Sequence, residues 1–398
     1  MSGINLSDNA DDLIRQSWDL RLQDESQERD ILTELAGTYN PKDQAVPNGI
    51  VMNVSLNGVN TENIGLLMDL VGAGTQGDGT VTTESQILKF FKTYAANVRH
   101  GVPNDMFGRN ANLLEPYDML GRATGQIAKW MKAREGKHAR QAAVERISDN
   151  LVLAPHSLTA AWNRHIIIKN LTNAQQPAYS NTLNTYTSNI YSALGTAGSS
   201  DSALPDPEFL TRMNYYASSQ FKIKPQNDGT YIGLMPSRSL QYLMNLGDTT
   251  SLASLQRTAL SNKYAEMAFM QSPGQVGNVV MIEDPRAPIL VRDTADTSVT
   301  AYFRDVGSTD DRSSYSNSGT TTVYDAIILL GKSGLTKSTA MKLRFDEDYS
   351  DVGRIRELVA SQTYGYQVTE FDSDTQSATS RIGQNCMLFL SYAGSLTT

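Results

Sequence analysis

The feature that most constrains this chain is the stretch from residue 112 to 149, which reads as one unusually long helix. Asn112 suits its start, and Pro116 falls near the first turn, where a missing N–H does no harm. Leu120, Ala123, Ile127, Trp130 and Met131 recur at i, i+3 and i+4, and Val144 and Ile147 resume the stripe. Between the apolar ends lies KAREGKHARQ, residues 132–141, polar all round. A helix of about 33 residues is about 50 Å long at 1.5 Å per residue, beyond the usual globular length. The pattern predicts a strut with a packed region at each end and a solvated waist.

Charge is distributed unevenly around that helix. The chain has 34 basic and 42 acidic residues, a formal net charge of −8. Residues 1–45 carry ten acids against four bases, a net of −6. Residues 109–149 carry eight bases against five acids, a net of +3. Within the acidic segment Ile14, Trp18, Leu22, Ile31 and Leu35 fall at helical spacing and predict an amphipathic helix over 14–35. Opposite signs predict that the acidic arm docks along the basic helix of a neighbouring copy. So acidic a chain is a poor general binder of nucleic acid, since neutralising phosphates takes clustered Lys and Arg. The basic run Lys129, Lys132, Arg134, Lys137 and Arg140 therefore reads as a subunit contact or a solvated face before a nucleic-acid contact.

Hydrophobic residues make up 40% of the chain and charged residues 19%, the balance of a globular protein with many loops. The single cysteine, Cys386, permits no disulfide framework within the chain and no cysteine-built zinc site. The opening residues lack the basic and apolar regions of a signal peptide. No run of about 18 apolar residues offers a membrane span. The expected setting is a cytoplasm or a particle assembled in one.

Along the chain, residues 46–111 are punctuated by PNG, NG and GAGTQGDG, with strand-like VMNVSL and ILKFFKTYAANVRHGV between them, as in a long excursion with hairpin character. From 150 onward strand-like runs (166–168, 231–235, 279–282, 326–330, 387–391) alternate with helical ones (207–219, 237–246, 252–267). That alternation predicts an α+β or mixed α/β body. Residues 292–323 read as a long loop or small insertion.

Motifs for chemistry are sparse. GAGTQG, with Gly72, Gly74 and Gly77, matches the dinucleotide fingerprint formally, but no amphipathic helix opens behind it to face a pyrophosphate. His100, His138, His156 and His165 lack the spacing of a zinc hydrolase. Asp346, Glu347, Asp348 and Asp351 lack a calcium-loop pattern and read as a solvated acidic turn. Ser219 and Lys222 form an isolated S-x-x-K with no companion motif. The expectation is a non-enzymatic protein without a cofactor. A soluble α/β enzyme using the glycine loop is the alternative from another class.

The order of segments resembles the Hong Kong 97-type fold of tailed-phage major capsid proteins. At sequence level it is similar to the family of N-four-like podophages. Trp18, TESQILKFFKTYAANVRHGV (83–102), with Arg99 and His100, and PYDMLGRATGQIAKWMKAREGKHARQAAVERIS (116–148), with Trp130, carry the likeness. YIGLMPSRSLQYL (231–243), VGNVVMIEDPRAP (276–288), YDAIILLGKSGLTKS (324–338) and DVGRIRELVASQTYGYQVTEF (351–371) extend it. The resemblance implies an N-terminal arm (1–45), an extended loop (46–111), a spine helix opening a peripheral domain (112–154), a mostly axial domain (155–290), a loop or insertion (291–323) and a return to the peripheral domain (324–398). It implies pentamers and hexamers closing into an icosahedral head around DNA, with scaffolding, portal and decoration proteins as partners. It places the protein in a virion, assembled in a bacterial cytoplasm. An encapsulin-like shell shares the fold and is a further alternative. Trp18, Arg99, His100, Lys132, Arg134, Lys137 and Arg140 are the expected subunit-contact residues.

Overall fold

Among the described residues, the long apolar runs of 231–236, 323–330 and 386–392 become strands buried along their length. The computed structural model describes residues 32, 36–38, 51–56, 61–67, 88–102, 119–144, 165–177, 183–197, 203–226, 228–245, 274–293, 299–302, 321–350, 355–371, 382–383 and 385–393. The strands are β1 (Ala36–Thr38), β2 (Val51–Ser55), β3 (Thr61–Leu67), β4 (Leu88–Tyr94), β5 (Ala96–Val102), β6 (His165–Ile168), β7 (Tyr231–Pro236), β8 (Gly274–Val276) and β9 (Val279–Asp284). They continue with β10 (Ile289–Asp293), β11 (Val299–Tyr302), β12 (Thr321–Leu330), β13 (Leu335–Ser350), β14 (Ile355–Val368), β15 (Glu370–Phe371), β16 (Ile382–Gly383) and β17 (Cys386–Tyr392). The helices are α1 (Met119–Val144), α2 (Leu183–Ala197), α3 (Pro207–Tyr215) and α4 (Ser237–Asn245). The chain divides into a smaller unit (1–30, 97–135, 341–363) and a larger one (31–96, 136–340, 364–398).

The larger unit is organised by β12. Residues 323–330 of this strand are all buried. β12 pairs antiparallel with β10 and β7 along one side and with β17 along the other. β7 runs parallel to β9, and β17 runs parallel to β6, so the eight-stranded sheet is mixed. Burial on both faces explains why β7 (YIGLMP) and β17 (CMLFLSY) are continuous apolar runs rather than alternating ones. Phe209, Leu210 and Met213 of α3 pack with Met281, Ile327, Leu329 and Phe389 of the sheet. Asp206 caps α3 by accepting from the Phe209 N–H at 2.7 Å. Pro207 follows it in the first turn, where no N–H is needed for the helix ladder. The helix expected over 207–219 stops at Tyr215, and a π-type turn, Tyr216–Gln220, ends it. β3 and β4 form an antiparallel pair, Thr61 opposite Tyr94 and Leu67 opposite Leu88, in the stretch expected to have hairpin character. The stretch 292–323 is not all loop: β11 adds an edge strand against β10. The helix expected over 252–267 lies outside the described residues.

Three turns meet at the Asn385 end of this sheet. Asn385, at φ 61°, accepts from the Lys224 N–H and donates to the Lys332 carbonyl, both at 2.9 Å. A Cβ at Gly331 would stand 2.5 Å from the Lys224 carbonyl, so only glycine lets these backbones close.

The polar stretch of α1 is not a solvated waist. Ala133, Glu135, His138, Ala139, Arg140 and Gln141 are buried. In the larger unit, the Arg140 guanidinium donates to both oxygens of Asp284, at 2.6 and 2.8 Å. His138 Nδ1 shares a 2.8 Å hydrogen bond with the Tyr364 hydroxyl. Ala139, Ala142 and Ala143 present little bulk, and Cys386 Sγ lies 3.6 Å from the Ala143 carbonyl. Within this stretch the Arg140 charge is met by Asp284 rather than by water, while Lys132 stays exposed.

In the smaller unit, the first part of α1 covers β5, β13 and β14. Ile127 and Met131 pack with Leu358 and Ala360, and Val98, Trp130 and Leu343 border this cluster.

Two outcomes follow from the larger unit. Arg140→Ala strands a buried carboxylate and should destabilise by about 3–5 kcal/mol in denaturant unfolding, whereas replacing both partners with apolar residues of matching volume should cost far less. His165 stacks on Phe221 with ring centroids 3.8 Å apart, and burial lowers its pKa to about 4. The unfolded chain takes up this proton near pH 6.5 and the folded chain only near 4. Its stabilising contribution is thus whole above 6.5 and is lost as pH falls towards 4. His165→Phe should flatten the dependence of Tm on pH across that window.

Candidate subunit-contact surface

Helical geometry sorts the basic residues of α1 onto different faces. In the first part of the helix Gly125, Lys129 and Lys132 fall at i, i+4 and i+7 on the side away from the apolar stripe. Gly125, Gln126 and Lys132 are exposed and Lys129 is half-buried. Among the described residues nothing lies within 4 Å of a Cβ built at Gly125. Trp130 forms one border of the face. Its indole stacks on the His100 imidazole with centroids 4.0 Å apart and planes 19° apart. The Arg134 guanidinium lies 5.9 Å from the Trp130 ring centroid, within cation–π reach.

The expected residues divide accordingly. His100, Arg134 and Lys132 belong to this one region of the smaller unit. Arg99 does not share the face of its neighbour: strand alternation sends Val98 and His100 towards α1 and Arg99 to the opposite side of β5. Arg99 is exposed there. Lys137 is half-buried in the larger unit. Arg140 corrects an expectation, because it is 1% exposed and ion-paired with Asp284 inside its own unit, where no neighbouring copy can reach it. Trp18 lies outside the described residues, as do Gly72, Gly74, Gly77, His156 and Asp351.

Trp130 was legible as part of an apolar stripe, but its stacking with His100 joins residues thirty positions apart and has no local signature. The i, i+4, i+7 spacing of Gly125, Lys129 and Lys132 was the available signal for the open basic face. Of the large apolar side chains, Tyr215 is 48% and Phe345 39% exposed. Among the described residues no group of three or more His, Cys, Asp or Glu could hold a metal ion. No described helix is long and apolar enough to cross a membrane. The acids Asp346, Glu347 and Asp348 lie on β13 rather than in a turn, and Asp346 is ion-paired with Arg344 at 3.1 Å.

Neither protein-family models nor curated proteins match the sequence. Solved structures do match the fold. The capsid of Ralstonia phage GP4 superposes with a TM-score of 0.63 at 14% identity, covering 96% of each chain. The cyanophage Pam1 capsid gives 0.60 at 14% identity, covering 99% of this chain and 100% of that one. The head of Helicobacter pylori bacteriophage KHP40 gives 0.60 at 14% identity, covering 94% and 95%. The architecture is thus a phage capsid fold. It is the Hong Kong 97-type fold that the order of sequence segments implied.

Lys132→Ala, on the open face, should leave the stability of the isolated chain within about 0.5 kcal/mol. Trp130→Ala removes the ring from the Ile127–Met131–Leu358 cluster and should lower it by roughly 1–3 kcal/mol in the same thermal melts.

Proposed function

We propose that this chain is the major capsid protein of a tailed phage, a shell subunit with no enzymatic role. One observation carries the reading: a capsid fold matched over at least nine-tenths of both chains in three separate phage structures. In this reading copies associate into pentamers and hexamers and close into an icosahedral head around double-stranded DNA. Closed symmetric assemblies reuse a few patches many times, and individually weak contacts become strong through linkage. The net charge of −8 suits a wall that encloses DNA without gripping it.

Residues 46–111 serve as the loop that lies over a neighbour, α1 as the spine, and 155–290 as most of the axial domain. Trp18, Arg99, His100, Lys132, Arg134 and Lys137 belong to subunit contacts, and Arg140 is a structural anchor instead. A scaffolding protein guides assembly in the bacterial cytoplasm, a portal occupies one vertex, and decoration proteins bind the finished virion. The narrower likeness to N-four-like podophages rests on the sequence segments quoted above.

Expression of the full chain, alone or with its scaffolding partner, should yield megadalton particles in sedimentation and shells in negative-stain micrographs. A small soluble oligomer under every such condition would overturn the reading.

A further inference from the structure

The turn that follows α3 presents two lysines without a counter-charge among the described residues. Lys222 and Lys224 are exposed on either side of the buried Ile223. Neither ammonium group pairs with a described acid, and the sequence from Met213 to Asn227 contains no acid. The backbone that bears them is pinned. Ile223 donates its N–H to the Ala217 carbonyl at 2.8 Å, and its carbonyl accepts from the Tyr231 hydroxyl at 3.0 Å. Lys224 donates its N–H to the Asn385 side chain, and its carbonyl accepts from the Lys332 N–H at 3.0 Å. Lys222 stands at φ 50°, a left-handed conformation that glycine or asparagine takes more readily than lysine. A strained position that holds a long charged side chain points to a use for the charge.

We propose that this turn is a contact site for the phosphate backbone of double-stranded DNA. Lys222 and Lys224 neutralise phosphates, and the exposed Ser219 and Gln220 beside them donate hydrogen bonds. The inference rests on the shell reading and assigns the patch through which an acidic wall touches what it encloses. An acidic protein segment is the other polyanion such a turn can take. A carboxylate is best met by the fork of an arginine, whereas lysine acts on phosphate as a point charge. A protein interface also gathers around a buried apolar or aromatic anchor, and from Tyr216 to Gln226 no large apolar side chain is exposed. Both features favour phosphate.

The test titrates the full-length chain, held unassembled at low concentration, with a short fluorescent DNA duplex of mixed sequence at several salt concentrations. Each phosphate neutralised contributes about 0.9 to the slope of log affinity against log salt. Lys222→Asn with Lys224→Gln removes both charges, and asparagine keeps the left-handed backbone. This pair should lower the slope by about 1.8, so that parental binding falls about twelvefold further than the variant's between about 50 and 200 mM salt. Lys224→Gln alone leaves the strained position untouched and should lower the slope by about 0.9. Lys132→Gln, at an exposed lysine of the smaller unit, should leave it unchanged. Thermal melts of all three should match the parent chain.

A slope that neither Lys224 variant lowers, no duplex binding at the lowest salt, or an equal loss in Lys132→Gln overturns the inference. Polyglutamate binding that depends on the two lysines, with duplex binding that does not, assigns the turn to an acidic protein and also overturns it. Any of these results beside particles in the micrographs leaves the shell reading intact. The expected slopes without particles under any condition would sustain the DNA contact and count against the shell reading.

Discussion

The bidentate pair between Arg140 and Asp284 is the constraint on which the rest of the structure depends. Both side chains are buried, and each would be strongly unfavourable there alone. Fork-to-fork geometry lets one guanidinium meet both carboxylate oxygens, which is why arginine rather than lysine fits this position. The pair ties the second part of the helix to the end of β9, across 144 residues of sequence. Once it is formed, the alanines of that helix turn are buried and the His138–Tyr364 bond can close beside them. A hydrophobic contact would tolerate small sliding of helix along sheet. A desolvated fork does not, so the pair specifies register as well as position.

The same helix therefore changes character along its length. Its later residues serve the interior of the larger unit. Its earlier residues cover the smaller sheet with one side and present lysines on the other. One continuous element thus carries an internal anchor and an external surface, and the two have different rules for substitution. Interior positions admit little change in volume. The outward positions, such as Gly125 and Lys132, are freer to vary in size.

Much of the sheet was legible in the sequence, because strands buried on both faces are written as unbroken apolar runs. AIILL in β12 and CMLFL in β17 needed no long-range information. α3 was legible from Asp206-Pro207, although its π-type ending was not, since that is closed by the Phe221 N–H reaching back five residues to the Tyr216 carbonyl. α2 escaped notice because NTYTSN is rich in residues of low helix propensity. Its burial of Ile190, Ala193, Leu194 and Ala197 nevertheless follows a helical stripe. The burial of residues 133–141 could not be foreseen, because nothing local distinguishes an arginine that will meet a distant aspartate from one that faces water. Segment order gave the fold class. The placement of His100 against Trp130, and of Arg99 away from it, came only with the pleat.

The parallel pairing of β6 with β17 has a consequence for biosynthesis. His165 stands opposite Met387, and β17 lies between β6 and β12 rather than at the rim. The middle of the eight-stranded layer therefore has a gap until residues 386–392 leave the ribosome. Contacts so distant in sequence form slowly. A chain lacking β17 leaves the edge of β12 that pairs with it, residues 324–330, without its partner strand. The topology thereby makes completion of this layer depend on a strand that lies more than 200 residues after its parallel neighbour.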